Sequence, residues 1–185
     1  MRTFREEGVI IKRRNFGEAD KFLTVFTRHS GKMQVKALGI RKLTSRRSPH
    51  VELLNHTMLA LYTGASVPIL TEAQTVESFA GIKEDLVKVG FAYHLCELID
   101  GLCPEGQEHA AVFFLLTNIL GKLSAAASEN IAPLIHEFEV SLLTTLGYWR
   151  RDHAYETNTE DYIEQLLERR LRSRSIFKSI DKLGT

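Results

Sequence analysis

Apolar and polar positions change their period once along this chain, near residue 80. Before that point apolar residues come in short runs divided by turn chemistry. Glu7 to Lys12 (EGVIIK) and Lys21 to Thr27 (KFLTVFT) are rich in β-branched and aromatic residues. RRNFGEAD joins them, with Asn15 and Gly17 available for the turn, so a hairpin is predicted. Alternation puts Phe22 and Phe26 together in the core and leaves Phe16 in the turn. After His29-Ser30-Gly31, Lys32 to Leu38 sets Met33, Val35 and Ala37 on one face and Gln34 and Lys36 on the other. Gly39 to His50 reads as an exposed loop, and strands resume at Val51 to Tyr62 and Ile69 to Val76.

Five short, turn-linked strands fit a small closed or partly open barrel, and the OB-fold is the commonest five-stranded choice that binds nucleic acid. From Gly81 the spacing becomes three and four. Ile82 to Leu102 wraps apolar residues around more than one face, as in a helix buried on several sides. Pro104-Glu105-Gly106 is a break before a second helix, Glu108 to Ala126. A third carries Pro133 in its first turn and ends on Gly147. Tyr148 to Asn158 is polar and irregular. Thr159 to Arg172 reads as an amphipathic helix with Thr159 as N-cap and Arg169, Arg170, Arg172 and Arg174 toward its C-terminal end. The expected architecture is α+β in two domains: a five-stranded OB-fold barrel over residues 1–80 and an all-α domain over 81–185.

Composition changes little until charge is located. The 185 residues carry a net charge of +1. Residues 1–50 hold 13 Lys and Arg against 4 Asp and Glu, whereas residues 51–145 hold 3 against 12. Neutrality is thus a cancellation between a +9 barrel and a −9 helical body, and such asymmetry points to polyanion binding by the basic part. Lys12, Arg13, Arg14, Lys32, Lys36, Arg41, Lys42, Arg46 and Arg47 are the candidate nucleic-acid contacts, interrupted only by Glu18 and Asp20 among carboxylates. If half of them met phosphates, log K would fall with log salt at a slope of roughly −3 for single strands. The second basic group, Arg169, Arg170, Arg172 and Arg174, reads equally as favourable charge at a helix C-terminus.

Catalytic and metal chemistry find no pattern. No phosphate-cradling glycine loop, nucleophile elbow or HExxH pair occurs, and the seven histidines offer no i, i+4 pair. Neither catalytic residues, cofactor nor metal are expected. The carboxylate pairs Glu6-Glu7 and Glu84-Asp85 read as capping or solvated groups at element starts. Cys96 and Cys103 match neither a redox nor a zinc spacing and read as buried small hydrophobes. The longest apolar run, Ala110 to Leu116, is too short to span a membrane, and no secretory leader is apparent, so a cytoplasmic protein is expected.

The opening EGVIIKRRNFGEADKFLTVFTRHSGKMQVKALGIRK, the basic Ser-rich stretch and LLNHTMLALYTGASVPILTEAQTVESF closely resemble the N-terminal domain of the RecO recombination mediators. The features carrying this are Gly8-Val9-Ile10, Gly17-Glu18-Ala19-Asp20, Ser30-Gly31-Lys32, Gly39-Ile40-Arg41 and Leu70-Thr71-Glu72-Ala73. FExxLLxxLG from Phe138 to Gly147 and RRLRSRSIFKSI from Arg169 to Ile180 match the helical part more loosely. The resemblance implies a non-enzymatic mediator that binds single- and double-stranded DNA, anneals strands and helps load RecA onto DNA coated by single-strand binding protein. It implies RecR and the acidic tail of single-strand binding protein as partners, and a nucleoid-associated location. Many relatives carry a four-cysteine zinc module after the FExxLLxxLG helix. Here Tyr148 to Asn158 holds no cysteine and the chain is shorter than such relatives, so no zinc is expected. Two other classes stay open: an RNA-binding OB module, and a protein adaptor acting through its helical body.

Overall fold

A computed structural model describes residues 2–64, 66–127, 130–149 and 158–174. Strands β1 (Arg2–Phe16), β2 (Asp20–Thr27), β3 (Gly31–Ala37), β4 (His56–Thr63) and β5 (Ile69–Glu77) close into a barrel in the order β1-β2-β3-β5-β4. This is an OB-fold barrel followed by helices, the α+β architecture read from the sequence. β1 is far longer than the six-residue run that announced it. Its first half pairs with β4 and its second half with β2, and a bulge between Ile10 and Lys12 bends it from one neighbour to the other. β3 meets β5 in parallel through Lys36↔Ile69, which closes the ring. Val51, expected to open a strand, lies instead in a 3-10 turn, Ser48–Val51.

The barrel interior is filled by Ile10, Leu23, Val25, Val35, Ala37, Ile40, Val51, Leu59, Leu61 and Leu70. β2 therefore turns Leu23 and Val25 inward; Phe26 is fully buried as expected, but outside this interior cluster, whereas Phe22 is only half-buried on the outer face, so the two do not share the core as alternation suggested. KFLTVFT is apolar at both parities, so periodicity alone could not choose. Register decides: directly opposed antiparallel residues share a face, and Phe22 lies between Arg14 and Lys36, charges that cannot be buried inside.

The chain forms two compact units, residues 1–78 with 103–113, and 79–102 with 114–185. The strap 103–113 thus belongs with the barrel although a helix separates them in sequence. Gly106 N donates to Lys32 O at 2.9 Å, and a parallel bridge joins Lys32 to Glu105. Gly31 permits this approach: its φ is +66°, and a Cβ there would stand 1.9 Å from the Gln107 carbonyl oxygen. His29 faces Glu108 at 3.6 Å, and the rings of His56 and Phe113 lie 5.6 Å apart, edge to face.

Glu6 and Glu7 sit within β1, not at an element start. Glu6 is buried and accepts from His29 N and Ser30 Oγ, which fixes the β2–β3 turn; Glu7 meets Arg28 and His56.

The helical unit contains α1 (Ala80–Lys83), α2 (Leu86–Leu102), most of α3 (Ala110–Ala125), α4 (Ile131–Thr145) and α5 (Thr159–Leu167). Asp85 Oδ1 accepts from Val87 N at 2.8 Å and caps α2, which is buried on several sides as its pattern predicts. α4 ends where Gly147 takes φ +81°. α5 is capped by Asn158, whose side chain accepts from Glu160 N, while Thr159 donates instead to Glu139. It stops at Leu167, with Glu168 in the left-handed region, so the arginine group lies beyond the helix.

A polar network holds this unit together. His94, fully buried, meets Glu139 Oε1 at 2.7 Å and Ser173 Oγ at 2.8 Å, and Ser173 Oγ donates on to Glu97. Glu97 also accepts from Arg169 Nη1, Arg172 N and Ser173 N. Burial works to raise the Glu97 carboxyl, but these four donors outweigh it and hold it at about 2. Cys96 and Cys103 are free, buried thiols, pushed by burial to about 12 and about 11.

Candidate nucleic-acid interface

Register builds a continuous outer face on β1, β2 and β3. One row across the strands is Arg14, Phe22 and Lys36; the next is Lys12, Thr24 and Gln34. Phe16, two residues beyond Arg14, is 44% exposed and packs edge-to-face on Phe22 at 4.8 Å between ring centroids. Arg14 lies 5.5 Å from the Phe22 centroid and Lys36 4.8 Å from that of Phe16. Each contact orients a cation beside an aromatic plane, at about 0.5–1 kcal/mol for exposed pairs. Lys12, Arg13, Arg14, Phe22, Thr24, Gln34, Val67 and Glu105 line a common open cleft here. Cations for phosphates beside aromatic planes for bases is the arrangement that single-strand binding uses.

The basic loop is a second, adjoining group. It is held, not loose: Gly39 N donates to Asp20 Oδ1 at 2.8 Å and Arg41 N to Ala19 O at 2.9 Å, which ties the loop to the β1–β2 turn. Arg41, Lys42 and Arg46 are exposed, and none makes an ion pair among the described residues. Lys21, absent from the nine candidates, belongs here. Slight burial and the guanidinium groups of Arg13 and Arg41 lower its pKa, so three cations converge. Its position at the start of an apolar run concealed it.

Three of the nine candidates are otherwise engaged. Lys32 is 7% exposed and lies under the strap, so it is withdrawn from the surface its alternation promised. Arg47 donates to the carbonyl oxygens of Leu38 and Leu70 and so pins the loop to the barrel. Arg13, opposite the interior Leu23, pairs with Glu52 at 3.6 Å while still lining the cleft. The C-terminal arginines are also not a bare cationic patch. Arg169 is bound to Glu97 and Arg174 reaches Glu160, Asp161 and Glu164, while Arg169, Arg170 and Arg172 are exposed. The reading of Arg169 to Ile180 as a closing helix, and of Tyr148 to Asn158 as a polar stretch without zinc, falls largely outside the described residues. Among the described residues no group of three His, Cys, Asp or Glu could hold a metal ion, and no helix is long and apolar enough to cross a membrane.

Comparison with known proteins decides the lineage of this barrel and helical unit. The family described as Recombination protein O N terminal matches residues 1–79, and Recombination protein O C terminal matches residues 83–149. The chain belongs to the RecO family. Among similar curated proteins, the DNA repair protein RecO of Symbiobacterium thermophilum is 36% identical over 148 residues, 80% of this chain and 58% of that protein. RecO of a Roseiflexus species is 38% identical over 155 residues, covering 84% of this chain and 53% of its own. RecO of Heliobacterium modesticaldum is 38% identical over 148 residues, 80% and 53% respectively. The chain thus spans a little over half the length of the RecO proteins it matches. The β1–β2–β3 face and the basic loop lie within the first match, and Glu105 of the cleft lies within the second.

Proposed function

We propose that this chain is a non-enzymatic DNA-binding mediator of repair and recombination. It holds single and double strands on the β1–β2–β3 face and the Arg41–Arg46 loop and promotes annealing of complementary strands. The observation that carries the reading is the pair Phe16 and Phe22 set among Arg14, Lys36 and Lys12 on one outer face. Two phosphate backbones repel one another, so a surface that neutralises both while leaving base edges free accelerates pairing without bond chemistry. The names of the matched relatives, all DNA repair proteins, support the same reading. Within it we place the protein in the cytoplasm at the nucleoid, with RecR and the acidic tail of single-strand binding protein as partners and loading of RecA as the outcome. Arg170 and Arg172 are the candidates for contact with the tail.

The test is fluorescence anisotropy with labelled single-stranded DNA across a salt series. Tight binding at low salt with a slope of roughly −3.5 to −4 is expected from five to six phosphate contacts at roughly 0.7 each. Binding that is absent at low salt, or indifferent to salt, would sink the reading. A marked preference for RNA of the same sequence would move it to the RNA-binding class.

A further inference from the structure

One carboxylate stands in the cationic cleft. Glu105, exposed on the strap, reaches Gln34 in the middle of the β1–β2–β3 face, with Gln34 Nε2 3.4 Å from Glu105 Oε1. The same Nε2 donates to Thr24 Oγ1 at 3.0 Å. The Gln34 amide nitrogen is therefore used twice within the protein, which fixes the amide orientation and leaves its carbonyl oxygen as the group on offer. The neighbouring Glu105 carboxylate is also an acceptor only. Backbone geometry holds the pair in place: the strap is clamped through Gly106 N to Lys32 O, and Gly31 lets it lie against the turn before β3.

An acceptor-only edge repels phosphate, so it does not belong to the backbone track. It matches a group that presents adjacent N–H donors. In a strand whose bases lie against Phe22, that group is a base edge. Guanine offers two neighbouring donors, its ring N–H and its amino group, to a carboxylate; thymine offers one N–H flanked by two carbonyls. We propose that Gln34 and Glu105 form a base-reading subsite that favours guanine over thymine in the strand held on the Phe16–Phe22 face. The inference rests on the DNA-binding reading above, and adds a base preference to a surface otherwise expected to be indifferent to sequence.

The experiment compares two labelled oligonucleotides by anisotropy at one low salt concentration: oligo-dT, and oligo-dT carrying isolated dG residues spaced to prevent quadruplex formation. Wild-type protein should bind the dG-bearing strand about five-fold or more tightly, the lower end of what one bidentate base contact supplies. Replacing dG by inosine, which lacks the amino group, should remove most of that gain. Glu105→Gln keeps an acceptor for Gln34 at an exposed position, and should abolish the preference while leaving thermal stability unchanged. Gln34→Leu, with folding checked by circular dichroism, should weaken it in the same direction. Equal wild-type affinity for the two strands overturns the subsite. So does a Glu105→Gln protein that binds both strands more tightly by the same factor, because Glu105 would then act only as a repulsive boundary. Failure to bind either strand at low salt would instead remove the DNA-binding reading itself.

Discussion

The Lys36 ammonium lies 4.8 Å from the centre of the Phe16 ring, at the outer end of the row that also holds Phe22 and Arg14. Charge and aromatic surface are thus interleaved on one sheet face, and their contributions to DNA binding separate by salt. Phe16→Ala and Phe22→Ala should each weaken single-strand binding by about 1–3 kcal/mol, an amount that persists at high salt. Lys36→Ala should instead lower the salt slope by roughly 0.7. Anisotropy titrations at two salt concentrations distinguish the two kinds of loss.

The loop arginines divide in the same way between binding and structure. Arg41→Ala, Lys42→Ala and Arg46→Ala together should flatten the salt slope by roughly 2 with little change in melting temperature. Arg47→Ala should cost about 1–3 kcal/mol of stability, because it strands the carbonyl oxygens of Leu38 and Leu70. Thermal melts of the two variants should therefore move in opposite order to their DNA-binding defects.

Glu97 makes the helical unit acid-sensitive in a defined window. Its carboxyl titrates at about 2 when folded, against 4.5 ordinarily, so the stability it contributes is complete above pH 4.5 and is lost as pH falls toward 2. Urea midpoints for wild type and Glu97→Gln should differ at pH 7 and converge near pH 2. A constant difference across that range would show that the four donors do not act through the charge.

The Glu139 carboxylate joins His94 to Thr159 inside the helical unit. Glu139→Ala leaves two buried polar groups without this partner and should destabilise the unit by about 3 kcal/mol or more, read from urea unfolding. Glu139→Gln should recover part of that loss.

Thiol reactivity offers a simple probe of both units. With Cys96 raised to about 12 and Cys103 to about 11, the native protein should react slowly with a disulfide reagent at pH 8. Two thiols should appear in denaturant.

The sequence carried the architecture well because barrel and helices have different periods, 2 and 3.6, and the change at Gly81 is sharp. The basic loop was legible too, since Gly39 to His50 has no apolar alternation to mistake for a strand. What escaped it depended on register or on distant pairing. Phe22 was placed in the core because Phe22/Phe26 and Leu23/Val25 are equally apolar stripes, and only the neighbours Arg14 and Lys36 break the tie. Lys32 looked exposed because nothing in its own strand reports a strap seventy residues away. Arg169 and Arg174 looked like free charge because the carboxylates that bind them lie at no helical spacing from them: Glu97 is on α2, and the acids of α5 lie ten or more residues before Arg174. Glu105 appeared as part of a helix break, with no local signal that it joins the barrel face.

The strap also bears on how the barrel is made. All five strands are complete by Glu77, yet Glu105, Gly106 and Phe113 cannot reach Lys32 and His56 until α2 has left the ribosome. A nascent chain ending near residue 79, where the N-terminal family match stops, therefore has the Glu6 contacts that fix its β2–β3 turn but lacks the strap that covers Lys32. The OB unit is thus completed only by residues translated after the first long helix, and its covalent boundary does not coincide with its packed one.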